Sequence, residues 1–496
     1  MSARPRRWVL PSALPSARSV LVVAALAAAV VVPRLLWHRF LDPFEDGYQN
    51  WWIASTLVET GRYEDLYSGM TRGNWLPGYH AFAAILVAGF GGHVMPVLKA
   101  ANLGLSLGTT AVVYALAKPR GRDVALLAAT LFALSPADIV IASFATPDSL
   151  TLFAAFSGVL LVERRPFGVR RSQILASVAF LVAATLRYEA WGFLAVYVVA
   201  SIGSKRIVWR DALLLAAPAA VFAAAWFAWT SPNGFLPAIV IDQTSTDVRY
   251  KETIGVLAPA GERVAGFLAW YLGWTPFALP AIAWAGWKER RSPWTALLLA
   301  AYAALGAYAA LGLGHPSARY VHLTVPIVCV FAASAVLHVR SVPANLPRLA
   351  GPRRLVVPAS LAVAFLLGVL IVTPTPAPGT LLSGMERAGT YLEGLALPEG
   401  RILVTESPIA AYYSGYPASR MLGSYYLPTD PAAAEQVLVD RAAYVVMVTV
   451  PYYRLRTLFP SLADGADGHH LRLLFDATGP EYELGAPRVL VFEVVP

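Results

Sequence analysis

Residues 41–80 read LDPFEDGYQNWWIASTLVETGRYEDLYSGMTRGNWLPGYH and follow directly on an apolar run at residues 20–37. The stretch carries Glu45, Asp46, Trp51, Trp52, Glu59, Glu64, Asp65 and a Leu76-Pro77-Gly78-Tyr79-His80 turn, in a chain that is 57% hydrophobic and only 14% charged. Acids and aromatics concentrated between long apolar runs belong at a membrane surface, where ionisable groups need water or a partner. These residues form the candidate active-site loop. Within it, Glu59, Glu64 and Asp65 lie on a helix-and-turn stretch that solvated surface explains.

Working outward, 496 residues with a mean hydropathy of +0.56 place the chain among polytopic membrane proteins, with a helix bundle in lipid as its core. The formal net charge of +9 does not mark a nucleic-acid partner. The Lys and Arg residues fall in short clusters between apolar runs, where the positive-inside rule needs them. The single cysteine, Cys329, lies inside an apolar run, which excludes an internal disulfide or a Cys-based metal cluster and reads as packing. The Arg-rich start leads into an apolar run that continues to Trp37 with no small-residue cleavage site, so an uncleaved first helix with cytoplasmic arginines is expected.

A transmembrane helix takes about 20 mostly apolar residues. Runs near that length occupy residues 20–37, 97–117, 124–142, 150–162, 174–186, 191–202, 212–229, 264–287, 294–313, 321–339 and 355–372, with a shorter one at 81–91. The basic clusters at 118–122, 163–171, 205–210, 288–291 and 340–354 should all be cytoplasmic. With 41–80 outside, parity allows one span before residue 118. The run at 81–91 is therefore read as an interfacial or re-entrant segment, making an outer structure of residues 41–93. The fold expected is a polytopic α-helical bundle of about eleven transmembrane helices, with the N-terminus inside.

After residue 373 the composition changes. TPTPAPG is a Pro-rich linker, residues 381–395 and 432–441 have helical spacing, and 401–406, 444–450 and 488–494 are short β-branched runs. The domains expected are a membrane domain at 1–373 and a soluble extracytoplasmic α/β domain at 374–496.

Every distinctive polar site falls on the outer side of this topology. Asp46, with Glu45 beside it, is placed to take a proton from a group presented at the surface; as an alternative, Asp46 caps the helix that follows. Trp51 and Trp52 suit a sugar or the interfacial aromatic belt. Asp148 in Ala-Thr-Pro-Asp-Ser-Leu is either a functional acid or a helix start. Arg187 and Glu189 flank Tyr188 and either pair with each other or leave the planar Arg fork for a phosphate. His315, Arg319, Tyr320 and His322 make a candidate cradle for a lipid phosphate or pyrophosphate, which His80 is positioned to join. A divalent metal is compatible with Asp46 and Asp148, although two carboxylates far apart in sequence are a weak signal for one.

Taken together, Phe44-Glu-Asp-Gly-Tyr48 after the first helix, Trp75-Leu-Pro-Gly-Tyr-His80, Thr146-Pro-Asp-Ser-Leu150 and Pro316-Ser-Ala-Arg-Tyr-Val-His322 resemble GT-C-fold glycosyltransferases. The arrangement is similar to the branch that holds protein O-mannosyltransferases and the lipid A aminoarabinose transferase. The resemblance covers residues 20–372 in layout, through short motifs. It implies an inverting hexosyl- or pentosyltransferase of the cell envelope, moving a sugar from a polyprenyl-phosphate donor to a hydroxyl on a lipid, glycan or protein acceptor. Asp46 would match the first-loop catalytic acid, with Glu45 as understudy, Asp148 the second outer-loop acid, and Arg319 the residue near the donor phosphate. Two departures stand out. The turn is Leu-Pro-Gly where the branch has Lys-Pro-Pro, and the Trp-Trp-Asp signature of oligosaccharyltransferases is missing. A transporter is the rival reading, but midplane charges and an inverted repeat are not visible. A membrane scaffold with a partner-binding tail leaves the acidic loop unexplained.

Overall fold

The computed structural model describes residues 17–38, 45–68, 75–92, 94–231, 260–311, 318–341, 381–450, 453–477 and 488–495. Helices dominate up to residue 341. They are α1 Ala17–His38, α2 Asp46–Thr60, α3 Pro77–Phe90, α4 Met95–Ala117, α5 Arg122–Ala133, α6 Pro136–Ile141, α7 Asp148–Arg164, α8 Val169–Leu186, α9 Glu189–Gly203 and α10 Trp209–Thr230. Numbered on through the described residues come α11 Ala260–Trp274, α12 Ala278–Lys288, α13 Pro293–Ala310, α14 Ala318–His322 and α15 Val325–Ser341.

Four of the described stretches are long and apolar enough to cross a bilayer: Val20–Trp37, Met95–Arg120, Val169–Leu186 and Trp209–Thr230. Large apolar side chains such as Leu21, Val199, Val221 and Leu279 stand exposed on these and neighbouring helices. In water that surface would drive association; against hydrocarbon it is the expected outer face of a bundle. The count of about eleven spans is not established by these residues, and the run at 355–372, the Pro-rich linker and the 373/374 boundary lie outside them.

Three runs that read as single spans are each divided in two. The run 124–142 breaks between α5 and α6 ahead of Pro136, where Ser135 is extended at ψ 124. The run 264–287 breaks at Thr275-Pro276, and 321–339 breaks between α14 and α15 ahead of Pro326. Proline disfavours α conformation at the preceding residue and donates no amide, so each apolar run ends one helix and starts another. The breaks meet. Leu134, Ser135, Pro136, Thr275, Pro276, Phe277, Val325 and Cys329 line one small crevice. Cys329 is a buried packing residue there.

The predicted segment 81–91 is the C-terminal part of α3, a 14-residue helix opened by Pro77. At 1.5 Å per residue it is about 21 Å long, short of the hydrocarbon thickness of about 30 Å. It packs on α2 and on the end of α8.

The C-terminal unit is α/β. A helix α16 Leu381–Glu393 precedes β1 Ile402–Thr405, α17 Pro408–Tyr413, β2 Met421–Gly423, α18 Pro431–Arg441, β3 Ala442–Val448, β4 Leu471–Asp476 and β5 Val489–Val494. The sheet order is β2-β1-β3-β5-β4. Strand β1 is parallel to β2 and β3, while β5 is antiparallel to β3 and β4. Every residue of β3 is buried, as a central strand covered on both faces requires. Strands β2 and β4 were not legible in the sequence, because β2 spans three residues and β4 is an edge strand with one buried position.

This unit is not loosely tethered to the helices. Tyr48, Trp51, Trp52, Tyr67, Val87 and Leu98 share one apolar cluster with Leu403, Ile409, Tyr412, Met421 and Val446. Trp51 meets Tyr412 edge-on with ring centroids 4.9 Å apart, and Trp52 donates its indole N–H to the Ala418 carbonyl at 3.1 Å. Both tryptophans are therefore buried beneath the α/β unit instead of facing lipid in an aromatic belt.

Candidate active site

The first turn of α2 carries Asp46. It is the first residue of the helix, one past the N-cap position that Glu45 holds, and its Oδ2 accepts from Nη1 of Arg319 on α14. The same guanidinium donates through Nε to Oδ2 of Asp148, the first residue of α7, at 3.2 Å. On its other side Asp148 Oδ1 lies 3.3 Å from Nη1 of Arg187. Arg187 in turn grips Glu189 in a fork, with Nε to Oε2 at 3.1 Å and Nη2 to Oε1 at 2.5 Å. Residues from four separate segments, spaced as far apart as Asp46 and Arg319, thus form one chain of alternating charge. Tyr320 lies within electrostatic reach of Asp46, Arg187, Glu189 and Arg319.

Local sequence explains each placement. Asp148 is held because Asn102 of α4 donates to the Phe144 carbonyl at 2.5 Å and the Thr146 carbonyl at 3.1 Å, pinning the Thr-Pro-Asp-Ser turn. Arg187 sits at the end of α8 in extended conformation, φ −146 and ψ 140. There Gly78 lets α3 come close: a Cβ at Gly78 would meet the Thr185 carbonyl oxygen at 2.7 Å. That contact accounts for glycine in Leu-Pro-Gly-Tyr-His.

A second polar cluster lies beneath the first. Asp138 on α6 is buried, and its Oδ2 accepts from Arg34 Nη2 of α1 and from Ser106 Oγ of α4 at 2.6 Å. Its Oδ1 is 2.8 Å from His322 Nε2. His322 therefore turns this nitrogen into the bundle and not toward a surface phosphate, because Asp138 is an ionisable group in an apolar setting that needs every partner. His322 and Arg319 share the five-residue α14, so Asp138 also holds the helix that presents Arg319. The signal for this cluster was present: Arg34 and Asp138 are charges inside apolar runs, which are rare without a reason.

His80 is likewise elsewhere. Nδ1 is 2.9 Å from the Tyr63 hydroxyl and Nε2 is 2.9 Å from Asn50 Oδ1, so it staples α3 to α2 and the loop after it. His315 lies outside the described residues.

Glu45 does not stand in for Asp46. It has left-handed backbone geometry, φ 54 and ψ −16, and its buried carboxyl points to the α/β unit, 3.4 Å from the Tyr67 hydroxyl and 3.5 Å from that of Tyr453. Burial pushes this carboxyl up to about 8 against the Tyr67 and Tyr453 hydrogen bonds, with the charge of Asp46 adding to the rise. Glu59 and Asp65 are also structural. Glu59 accepts the amides of Ala418 at 3.0 Å and Ser419 at 2.8 Å. Asp65 accepts from Gln49, from the Tyr67 and Ser68 amides and from the Ser68 hydroxyl. Glu59, although exposed, ties α2 to the α/β unit, and Asp65 folds the loop that carries Tyr67, so both do more than solvate the surface.

Among the described residues no group of three or more His, Cys, Asp or Glu is placed to hold a metal. Asp46 and Asp148 do converge on one guanidinium, and the linked residues count three carboxylates, Asp46, Asp148 and Glu189, against two guanidiniums. The Arg319 guanidinium lies between these two carboxylates and compensates both, and Asp148 is paired a second time by Arg187, so as placed they do not form a cation site.

No family model matches the chain, and no curated protein matches it. Solved structures do. ArnT from Cupriavidus metallidurans bound to undecaprenyl phosphate is 17% identical with a TM-score of 0.61, over 97% of this chain and 99% of that one. The oligosaccharyltransferase of Archaeoglobus fulgidus in complex with Zn and sulfate is 14% identical, TM-score 0.55, over 86% of this chain and 67% of that one. AglB from the same organism, in complex with an inhibitory peptide and a dolichol-phosphate, is 13% identical, TM-score 0.54, over 86% and 69%. At these identities the likeness concerns the fold: this chain is a multi-pass membrane protein with the GT-C architecture of membrane glycosyltransferases, C-terminal sheet unit included.

Proposed function

We propose that the protein is a glycosyltransferase that moves a sugar from a polyprenyl-phosphate donor to an acceptor hydroxyl on the extracytoplasmic side of the membrane, as the single-residue convergence of Asp46 and Asp148 on Arg319 supports. The three structural neighbours are named with undecaprenyl phosphate, dolichol-phosphate or sulfate, all tetrahedral oxyanions, which is the group a paired-Arg site suits. The reaction has two demands. A proton must leave the acceptor hydroxyl, and negative charge must be met on the departing phosphate.

Asp46 takes the proton in this reading. The acceptor oxygen forms the new bond to the anomeric carbon as the carbon–oxygen bond to the phosphate breaks, so the product is inverted and polyprenyl phosphate leaves with the electron pair. Arg319, with Arg187 behind Asp148, meets that charge. Without donor, Arg319 neutralises Asp46; a phosphate competing for the guanidinium releases the carboxylate, so the base is freed only when donor is bound. Asp148 fixes both arginines, and the buried cluster around Asp138 holds α14. The α/β unit and the loop around Glu45 exclude water from the site.

The test is Asp46→Asn in purified full chain, assayed with a panel of undecaprenyl-phosphate hexoses and pentoses. Loss of transfer by about 10²–10⁴-fold is the expectation for removal of a general base. Transfer at the wild-type rate removes Asp46 from the mechanism.

A further inference from the structure

We propose that Glu45 is a positioning residue through which the α/β unit sets the catalytic carboxylate of Asp46, making that unit part of the active site. The inference rests on the reading of Asp46 as base, and it follows from where Glu45 points.

Glu45 holds left-handed geometry, which a residue with a Cβ adopts only when its surroundings impose it. That geometry is what starts α2 one residue later. The Glu45 carbonyl accepts the amides of Tyr48 at 2.9 Å and Gln49 at 3.0 Å, so the first turn containing Asp46 hangs from it. The surroundings that impose it come from the other unit. The Tyr453 hydroxyl lies 3.5 Å from the Glu45 carboxyl and Ser407 lies against it, while the Tyr67 hydroxyl, which donates to the Glu406 carbonyl at 3.1 Å, sits 3.4 Å from the same carboxyl.

Glu406 makes that end of the α/β unit rigid. Its buried carboxyl group accepts the Val448 amide at 2.8 Å, the Leu455 amide at 2.5 Å and the Ser424 hydroxyl at 3.3 Å, joining the ends of β1 and β3 to the segments that carry Ser424 and Tyr453. The path from sheet to site is therefore short: Glu406 fixes the Tyr453 segment, Tyr453 and Tyr67 fix Glu45, and Glu45 fixes the peptide that aims Asp46 at Arg319. Removing a hydroxyl from this path leaves every atom of the reacting site in place but frees its backbone.

The variants are Tyr453→Phe and Glu45→Ala, with Glu45→Gln as the conservative replacement that keeps an oxygen acceptor at the same reach. Two measurements are made on the full chain in detergent: amide exchange over residues 46–50, and kcat and KM for the undecaprenyl-phosphate sugar panel. We expect Tyr453→Phe and Glu45→Ala to speed exchange at Tyr48 and Gln49 about tenfold and to lower kcat about tenfold, with donor KM changed less than twofold and Glu45→Gln close to wild type. Unchanged exchange in both variants overturns the inference whatever the activity, as does a kcat loss that only tracks a fall in melting temperature. Asp46→Asn separates the two readings. If it is inactive while Tyr453→Phe and Glu45→Ala keep full kcat, the positioning role fails and the base stands; if it is fully active, the base reading fails.

Discussion

Arg319→Lys keeps a positive charge at the junction of Asp46 and Asp148 and removes the fork. In the structure Arg319 uses two different nitrogens, Nη1 toward Asp46 and Nε toward Asp148, from a side chain that is 11% exposed. An ammonium on a flexible stem reaches one carboxylate well and has no second edge for the other or for a phosphate. One charge-assisted hydrogen bond is then lost, worth about 1.5–3 kcal/mol, which corresponds to a decrease of roughly 10- to 150-fold in kcat/KM. Arg319→Gln goes further, leaving Asp46 uncompensated while Asp148 keeps Arg187, and should also cost about 1–3 kcal/mol of stability because a half-buried carboxylate loses its partner. Transfer from undecaprenyl-phosphate sugars and binding of undecaprenyl phosphate, read by tryptophan fluorescence, measure the two roles separately. Wild-type turnover and wild-type affinity in a folded Arg319→Lys protein would refute the use of the fork.

Three other outcomes follow from the same geometry. A Cβ at Gly423 would lie 1.8 Å from the Tyr67 carbonyl oxygen, beside the bond from the Gly423 amide to the Leu66 carbonyl at 2.7 Å, so Gly423→Ala must separate the α/β unit from the outer loop. A loss of about 1–3 kcal/mol is expected for such overpacking, with faster trypsin cleavage after Arg62; an unaltered digestion pattern refutes that docking. Burial pushes the Glu406 carboxyl up to about 8 from 4.5, against the Leu455 and Val448 amides. The folded protein therefore holds a proton that the unfolded chain has lost between those values, so stability falls as pH rises through this window, by about 1.4 kcal/mol per unit, and levels off above it. The Glu45 carboxyl, also raised to about 8, adds a similar slope, so Glu406→Gln should about halve the slope that chemical denaturation at pH 6 and 8 measures; an equal slope in the variant points to another group. Finally, reporters fused after Arg120 and after Pro374 should lie on opposite sides of the membrane, cytoplasmic and external respectively, and the same side for both would overturn the proposed orientation.

How much of this was readable in advance depends on the kind of interaction. Asp46, Asp148, Arg187 and Arg319 each stand at a helix end in a short polar motif interrupting apolar sequence, so the topology alone put them on one side, and the fold then joined them. The Arg187–Glu189 pair that local spacing suggests is present, and Arg187 also reaches Asp148 from a distant segment that local spacing does not reveal. Asp138 and Arg34 lie within apolar runs, whose average hydropathy masks single charges. Prolines divided three of those runs because a local break outweighs average hydropathy.

What the sequence did not carry was the contact between the two units. Glu45 and Asp46 are adjacent acids in one motif and read as alternatives for one role. The left-handed backbone at Glu45 turns their side chains apart, one to Tyr453 and one to Arg319. No local pattern encodes that divergence, since it depends on a residue 408 positions away. Trp51 and Trp52 show the same thing from the apolar side: an aromatic pair near a membrane surface suits lipid as well as protein, and only the arrival of Tyr412 and Ala418 from the α/β unit decides between them. The loop that organises the chain is thus held from both directions. Charge pairing to the helix bundle aims Asp46, and apolar and hydroxyl contacts to the sheet unit hold the backbone from which it is aimed.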